Sequence, residues 1–469
     1  MKFFEALGNV FRIPDLRKRV LFTLAMLAVY RLGGHIPTPG INVGRWEDFL
    51  TRNAGGIFGF FDLFAGGNIR RFTIFALGIM PYITASIILQ LLTVVVPTLE
   101  KLQKEGELGR RKITQWTRYL TIILSVIQSF GFAQGLQHSN GGFVINPGWG
   151  FVFLTIISLT AGTAFIMWLG EQISDRGIGN GMSLIIFAGI VVGLPNAISN
   201  IYRNTFVTRE WGPFQMIVIL IMMVAVVAFI VLVERGERRI PVQYAKRVVG
   251  RRVMGGQSTH MPLKVNAGGV IPVIFASSIL AFPQQLAAIP FVKNSAWLMS
   301  TLAIVKFGEP LYYVLFVAGI IFFCFFYVSI IFNPNEAADN MRKYGGFIPG
   351  IRPGRNTADY MNEILTKITV VGGLYLSILC LIPDLMISGI KLQHLALVGN
   401  WIDRTFTSLH LRFLLEGLNV NFYFGGTSLL IVVGVAMDTI NQIEAQLIMR
   451  HYEGFTPRSG RIRGRRSSF

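Results

Sequence analysis

The residues that could do chemistry are few and poorly spaced for it. Cys324 and Cys380 lie inside apolar stretches with no C-x-x-C spacing, so a disulfide or redox role has no support and both read as small lipid- or core-facing side chains. Six histidines, His35, His138, His260, His394, His410 and His451, are scattered without the H-E-x-x-H spacing that puts two zinc ligands on one helix face. The glycine-rich run Gly177-Ile-Gly-Asn-Gly181 lacks the Lys-Ser/Thr with which a phosphate loop reaches nucleotide and magnesium, and it reads as a tight turn between helices. No paired acid and base falls within an apolar segment. The sequence therefore nominates no catalytic, cofactor-binding or metal-binding residue, and the expectation is a chain that hydrolyses nothing.

The rest of the chain is apolar sequence and basic charge. Of 469 residues, 52% are hydrophobic and 14% charged, whereas roughly a quarter are charged in a typical soluble domain. That places the chain in the membrane class. A net charge of +19 on a soluble protein would suggest nucleic acid as a partner, but here placement matters more than the sum. A bilayer core needs about 20 apolar residues per helix, and ten segments meet the demand: 20–36, 72–97, 117–136, 150–170, 182–202, 213–233, 267–290, 310–332, 368–388 and 424–444. The first is the weakest, interrupted by Arg31 and His35, although an arginine near a helix end can reach the interface. The basic start (Lys2, Arg12, Arg17, Lys18, Arg19) runs into that segment with no small-residue cleavage pattern behind it, so the first helix is expected to stay as an anchor. Ten spans divide the loops into two alternating sets. Of the 43 Lys and Arg, 31 fall in the set containing the termini and 12 in the other, which predicts both termini on the cytoplasmic side.

Gly78-Ile-Met-Pro81-Tyr-Ile83-Thr-Ala85-Ser86 in the second span matches Gly269-Val-Ile-Pro272-Val-Ile274-Phe-Ala276-Ser277 in the seventh, with Gly, Pro, Ile, Ala and Ser in register. These spans hold the same place in two successive five-helix halves, and an odd number of helices per half inverts the second. The expected fold is thus an all-α polytopic membrane protein of ten transmembrane helices in two inverted five-helix halves around a central pore. The halves are 1–202 and 203–448, with cytoplasmic loops 235–266 and 333–367 in the second, followed by a basic tail, 449–469. Pro81 and Pro272 are expected to kink their helices. No charge lies deep in a span, because Asp384, Asp438 and Arg31 fall toward helix ends. A pathway lined by apolar side chains bars ions by dewetting without selecting a solute, which suits a large, variable passenger better than a small polar one. The aromatic, glycine-bounded stretch 55–67 is too short to span. It reads either as a re-entrant plug at a pore mouth or as an interfacial loop on the outer leaflet.

The runs Phe75-Ala-Leu-Gly-Ile-Met-Pro-Tyr-Ile-Thr-Ala-Ser-Ile-Ile-Leu-Gln-Leu-Leu92 and Met167-Trp-Leu-Gly-Glu-Gln-Ile-Ser-Asp-Arg-Gly-Ile-Gly-Asn-Gly-Met-Ser183 closely resemble the two signatures of the SecY family. Stretches 104–112, 257–266, 347–354 and 423–430 agree as well, so the resemblance covers nearly the whole chain. It implies an hourglass channel of the bacterial inner membrane that passes unfolded secretory polypeptides and releases transmembrane segments sideways into lipid. The implied waist is a ring of Ile79, Ile83, Met182, Ile186, Ile274 and Ile431, with Met182 departing from the isoleucine common at its place. The implied plug is Phe60, Phe61, Asp62, Leu63, Phe64, Ala65, Gly66, Gly67 and Asn68. A lateral gate between spans two and three and spans seven and eight would use Pro81, Ser86, Gln128, Asn266 and Pro272.

The resemblance also implies partners: SecE-like and SecG-like membrane subunits, the SecA ATPase, the ribosome, signal sequences and nascent chains, anionic lipids and an accessory insertase. Arg238, Arg239, Lys246, Arg247, Arg251, Arg252, Arg352 and Arg355 of the cytoplasmic loops are the expected contacts for SecA or for ribosomal RNA phosphates, although positive-inside topology and anionic lipid explain many loop arginines equally well. No cofactor is implied. The external stretch from about Lys391 to Asn421 is longer than the family leads one to expect; a small amphipathic lid is its simplest reading, with no role assigned. A small-solute carrier of similar build would need a mid-span charge or polar pocket, which this sequence lacks.

Overall fold

Lipid offers no partner for a main-chain N–H or C=O, so apolar runs of this length close their hydrogen bonds as helices. A computed structural model describes residues 13–52, 62, 65–138, 142–207, 213–244, 247–249, 252–254, 258–286, 309–388 and 426–453. Each of the ten expected spans falls on a helix among them. In span order these are α1 (Pro14–Gly33), α3 (Met80–Val95), α5 (Glu107–Gln137), α6 (Trp149–Arg176), α7 (Gly181–Tyr202), α8 (Pro213–Glu234), α9 (Ile271–Leu286), α10 (Pro310–Ile331), α12 (Arg355–Ser388) and α13 (Gly426–Glu453). Short helices stand between them: α2 (Val43–Arg52), α4 (Pro97–Lys104) and α11 (Pro334–Lys343). Five of the described helices are long and apolar enough to cross a membrane unaided; α3 with α4 passes only as a pair bent by 100°, and α7, α8 and α9 contribute shorter apolar stretches. Pro97 opens α4 after extended backbone at Val96, so α4 turns away from the axis of α3.

The repeated motif has a main-chain counterpart. Gly78 and Gly269, the matching glycines, both take left-handed backbone, with φ of 56° and 59°, which costs a residue with a Cβ about 1–2 kcal/mol. The helices begin just after them, at Met80 and Ile271. This corrects the expected proline kinks. Pro81 and Pro272 stand in the first turn of their helices, where no intrahelical N–H is lost and the fixed φ favours initiation. The chain breaks at the glycines instead, so the second helix starts about eight residues later than hydropathy suggested.

Packing repeats as well. In the first half α3 packs on α5, α5 on α6 and α6 on α7, while α1 lies against α6 and α7. In the second half α9 packs on α10, α10 on α12 and α12 on α13; α8 lies against α13, and its Phe229 meets Tyr375 of α12. Contacts of α3 with α9 and of α7 with α13 close these eight helices into a ring.

The two long loops of the second half add a small sheet to the helical fold. β1 (Glu237–Tyr244) pairs antiparallel with β4 (Ser258–Lys264), placing Ile240 opposite Met261. The second loop supplies β5 (Gly346–Phe347), which pairs with the other edge of β1 at Gln243 and Tyr244. A separate hairpin joins β2 (Arg247–Val249) to β3 (Arg252–Met254). Alternation along β1 buries Ile240 and Val242 and exposes Arg238 and Arg239. Ile240, Leu263 and Ile348 form a core with Val328 of α10 and Leu365 of α12, which seats the sheet on the ends of two spans.

Candidate functional site

The six waist candidates come from four helices of the ring or their first turns. Ile79, Ile83, Ile186, Ile274 and Ile431 are all buried in one continuous apolar core, and Met182 packs against it, half-buried. Ile79 caps α3 with its carbonyl accepting the Ile83 N–H at 3.1 Å, so both face the core one turn apart. Asn180 sets the start of α7: its Oδ1 accepts the N–H of Met182 at 3.1 Å, an N-cap that fixes where Met182 and Ile186 emerge. The six are aliphatic or thioether side chains from both halves, and none carries a group that could replace an ion's hydration shell.

Of the plug candidates, Asp62, Ala65, Gly66, Gly67 and Asn68 are described; Phe60, Phe61, Leu63 and Phe64 lie outside the described residues. Asp62, Ala65 and Asn68 are buried. The Asp62 carboxylate accepts the Arg70 N–H at 2.9 Å and its carbonyl accepts the Gly67 N–H at 2.9 Å, which closes a turn. The first helix holds this turn. The Tyr30 hydroxyl donates to the Ala65 carbonyl at 3.2 Å and accepts from the Asn68 amide at 3.3 Å, and the Arg31 guanidinium donates to the Gly66 carbonyl at 3.3 Å. Arg31, which interrupts the first apolar run, thus has a structural use that hydropathy reads as a defect. On the other side Trp46 of α2 donates its indole N–H to the Ile69 carbonyl at 2.7 Å and meets Phe72 and Phe143 edge-on. Sequence reasoning passed over Tyr30 and Trp46. The amphipathic pattern of Val43–Arg52 was the signal available for Trp46.

Around the gate candidates, α3 and α5 both touch α9. The Gln90 amide donates to Ser86 Oγ at 3.4 Å, one turn along α3. Gln128 is buried with its amide nitrogen unpartnered among the described residues. Asn266 is buried too, but its amide donates to Glu234 Oε1 at 2.6 Å and to the Gly269 carbonyl at 3.2 Å. Gln128 and Asn266 are therefore not joined by a hydrogen bond. Asn266 instead ties the end of α8 to the turn that launches α9, and Glu234 is a further residue the sequence did not single out.

In the two long loops of the second half Arg238, Arg239, Arg352 and Arg355 are exposed, and the Arg352 carbonyl accepts the Thr357 hydroxyl at 3.1 Å, bracing the turn into α12. Arg247 and Arg252 begin the two strands of the hairpin, while Lys246 and Arg251 lie outside the described residues, as do the stretch 391–421 and the basic tail. On α4, Lys104 at 2.6 Å from Glu100 holds that carboxyl below the usual carboxylate range.

The family model for SecY matches residues 73–440. The protein translocase subunit SecY of Escherichia coli strain K12 is 49% identical over 448 residues, covering 94% of each chain. The chain belongs to the SecY family. The Streptomyces galbus SecY is 48% identical over 463 residues, covering 96% of this chain and 99% of its own. Among solved structures, a protein-conducting channel aligns with a TM-score of 0.60 at 18% identity, over 94% of this chain and 95% of that one. Sec61 in the canine ribosome–channel complex from the endoplasmic reticulum aligns with a TM-score of 0.55 at 17% identity, over 94% of this chain and 95% of its own. The ten-helix arrangement is therefore the SecY fold.

Proposed function

We propose that this chain is the central subunit of a protein-conducting channel in the bacterial cytoplasmic membrane, with both termini cytoplasmic. It passes unfolded secretory polypeptides through its waist and releases transmembrane segments through the seam between α3 and α9. The observation that carries this reading is that six uncharged side chains from both halves belong to or pack against one apolar core, on the four helices whose contacts close the ring. The relatives named as translocase subunits support it. An aliphatic constriction dewets and bars ions, and it yields to a chain of any sequence. Ile79, Ile83, Met182, Ile186, Ile274 and Ile431 form this ring, and residues 60–68 close it from outside. Pro81, Ser86, Gln128, Asn266 and Pro272 lie along the gate.

The chain supplies no driving force of its own in this reading. The SecA ATPase or the translating ribosome docks on the arginines of the two cytoplasmic loops, and SecE-like and SecG-like subunits brace the ring. The test is reconstitution. Liposomes holding the chain with those two subunits are expected to import a secretory precursor when SecA and ATP are added. Stoichiometric exchange of a small metabolite, with secretion unaffected when the chain is depleted from cells, would overturn the proposal.

A further inference from the structure

Residues 65–68, at the end of the candidate plug, form a turn set against the first and fifth spans. Gly66 and Gly67 take left-handed backbone, with φ of 70° and 81°. A Cβ at Gly66 would lie 2.8 Å from Gly189 Cα of α7 and 3.4 Å from the Tyr30 hydroxyl of α1, so the turn lays bare main chain against both helices. Just past α1, Gly34 leaves the room that the Asn68 side chain takes: a Cβ there would lie 2.5 Å from Asn68 Oδ1. An alanine and two glycines bury little apolar surface, so directional polar contacts hold the turn in this seat.

Those contacts converge on one carbonyl. The Tyr30 hydroxyl donates to the Ala65 carbonyl at 3.2 Å, while the Asn68 amide donates to that same carbonyl at 2.5 Å and to the Tyr30 oxygen at 3.3 Å. Hydroxyl, amide and carbonyl close a triangle in which every proton of the two side chains has an acceptor. Tyr30, Ala65 and Asn68 are all buried, so water does not compete for these bonds. The Tyr30 ring is placed independently, stacked on Phe75 at 5.8 Å, and its hydroxyl is free to serve the turn. The chain beyond is anchored by other groups: the Trp46 indole donates to the Ile69 carbonyl at 2.7 Å, and the Thr73 N–H to the Asn68 carbonyl at 3.0 Å. The tip of the segment can therefore let go of α1 while its root stays in place.

We propose that Tyr30 and Asn68 are the latch of the plug, positioning residues whose shared hydrogen bonds keep the turn on the first span at rest and break when a passenger enters. The inference rests on the plug reading above. Its test uses the whole complex, with its small membrane subunits, in planar bilayers and in inverted vesicles. Tyr30→Phe keeps the ring on Phe75 and removes the hydroxyl alone. It is expected to raise the resting conductance on the order of fivefold, as the loss of one hydrogen bond allows, and Asn68→Ala to do much the same. Because the two side chains share one triangle, the double variant is expected to leak less than the product of the single effects. In vesicles, Tyr30→Phe is expected to export a precursor with a weakened signal sequence several-fold faster than the parent, whereas a merely structural loss would slow it. Parent-like conductance for Tyr30→Phe, a double variant that leaks the full product, or slower export each overturns the latch. A variant lacking residues 60–67 separates the two readings. Should it leak while Tyr30→Phe does not, the latch falls and the plug stands; should it be as tight as the parent, the plug reading itself fails.

Discussion

Ile83 and Ile274 occupy equivalent places in the two copies of one motif, and both are buried in the same core. If they line the proposed waist, replacing either with glycine removes methyl groups that keep it dry, so the resting conductance measured in planar bilayers is expected to rise several-fold for each and further for the pair. Conductance that stays at the parent level would remove both from the ring. Their partners in the motif, Gly78 and Gly269, matter for a different reason. With φ of 56° and 59°, Ala at either position is expected to cost about 1–2 kcal/mol and to lower the thermal midpoint in detergent. An added Cβ at Gly269 meets nothing within 4 Å, so the loss there would come from backbone strain alone. The motif was legible as spacing, because proline and isoleucine recur in register. Its left-handed glycines were not, since a glycine in an apolar run is equally at home inside a helix.

Apolar runs of this length announce helices by composition, and the ten expected segments each fall on one. Their ends were less legible. A proline within an apolar run reads as a kink, whereas Pro81 and Pro272 start helices, because what decides is where the preceding glycine puts the chain. The sheet of the cytoplasmic loops was not read at all: β5 has two residues and finds its partner a hundred positions away. Ile240 marks the importance of that sheet, being 2% exposed and seated over Val328 and Leu365. Ile240→Asp would place an unpaired carboxylate in that core, at a cost of about 3 kcal/mol or more. Limited proteolysis is then expected to cut the loop 235–266 faster than in the parent, while the membrane helices stay protected.

For the molecule as a whole, the basic loops predict a salt dependence. If about three of the exposed arginines replace counterions on ribosomal RNA, binding measured by co-sedimentation is expected to fall roughly twenty- to fortyfold between about 50 and 200 mM salt. Binding indifferent to salt would point to apolar docking instead. The halves were legible from the repeat, but the ring was not: hydrogen bonds such as those joining Tyr30 to Ala65, or Asn266 to Glu234, connect residues whose nearness no local pattern encodes.

The three-stranded sheet has a mechanical consequence. Because a strand of the second loop completes the sheet of the first, the two loops are one body, footed on the eighth and ninth spans. Its strand β4 ends at Lys264, only a few residues before the seventh span begins at Ile271. A load on either loop is therefore carried by one piece to the start of the seventh span, so the two loops cannot be displaced independently of it.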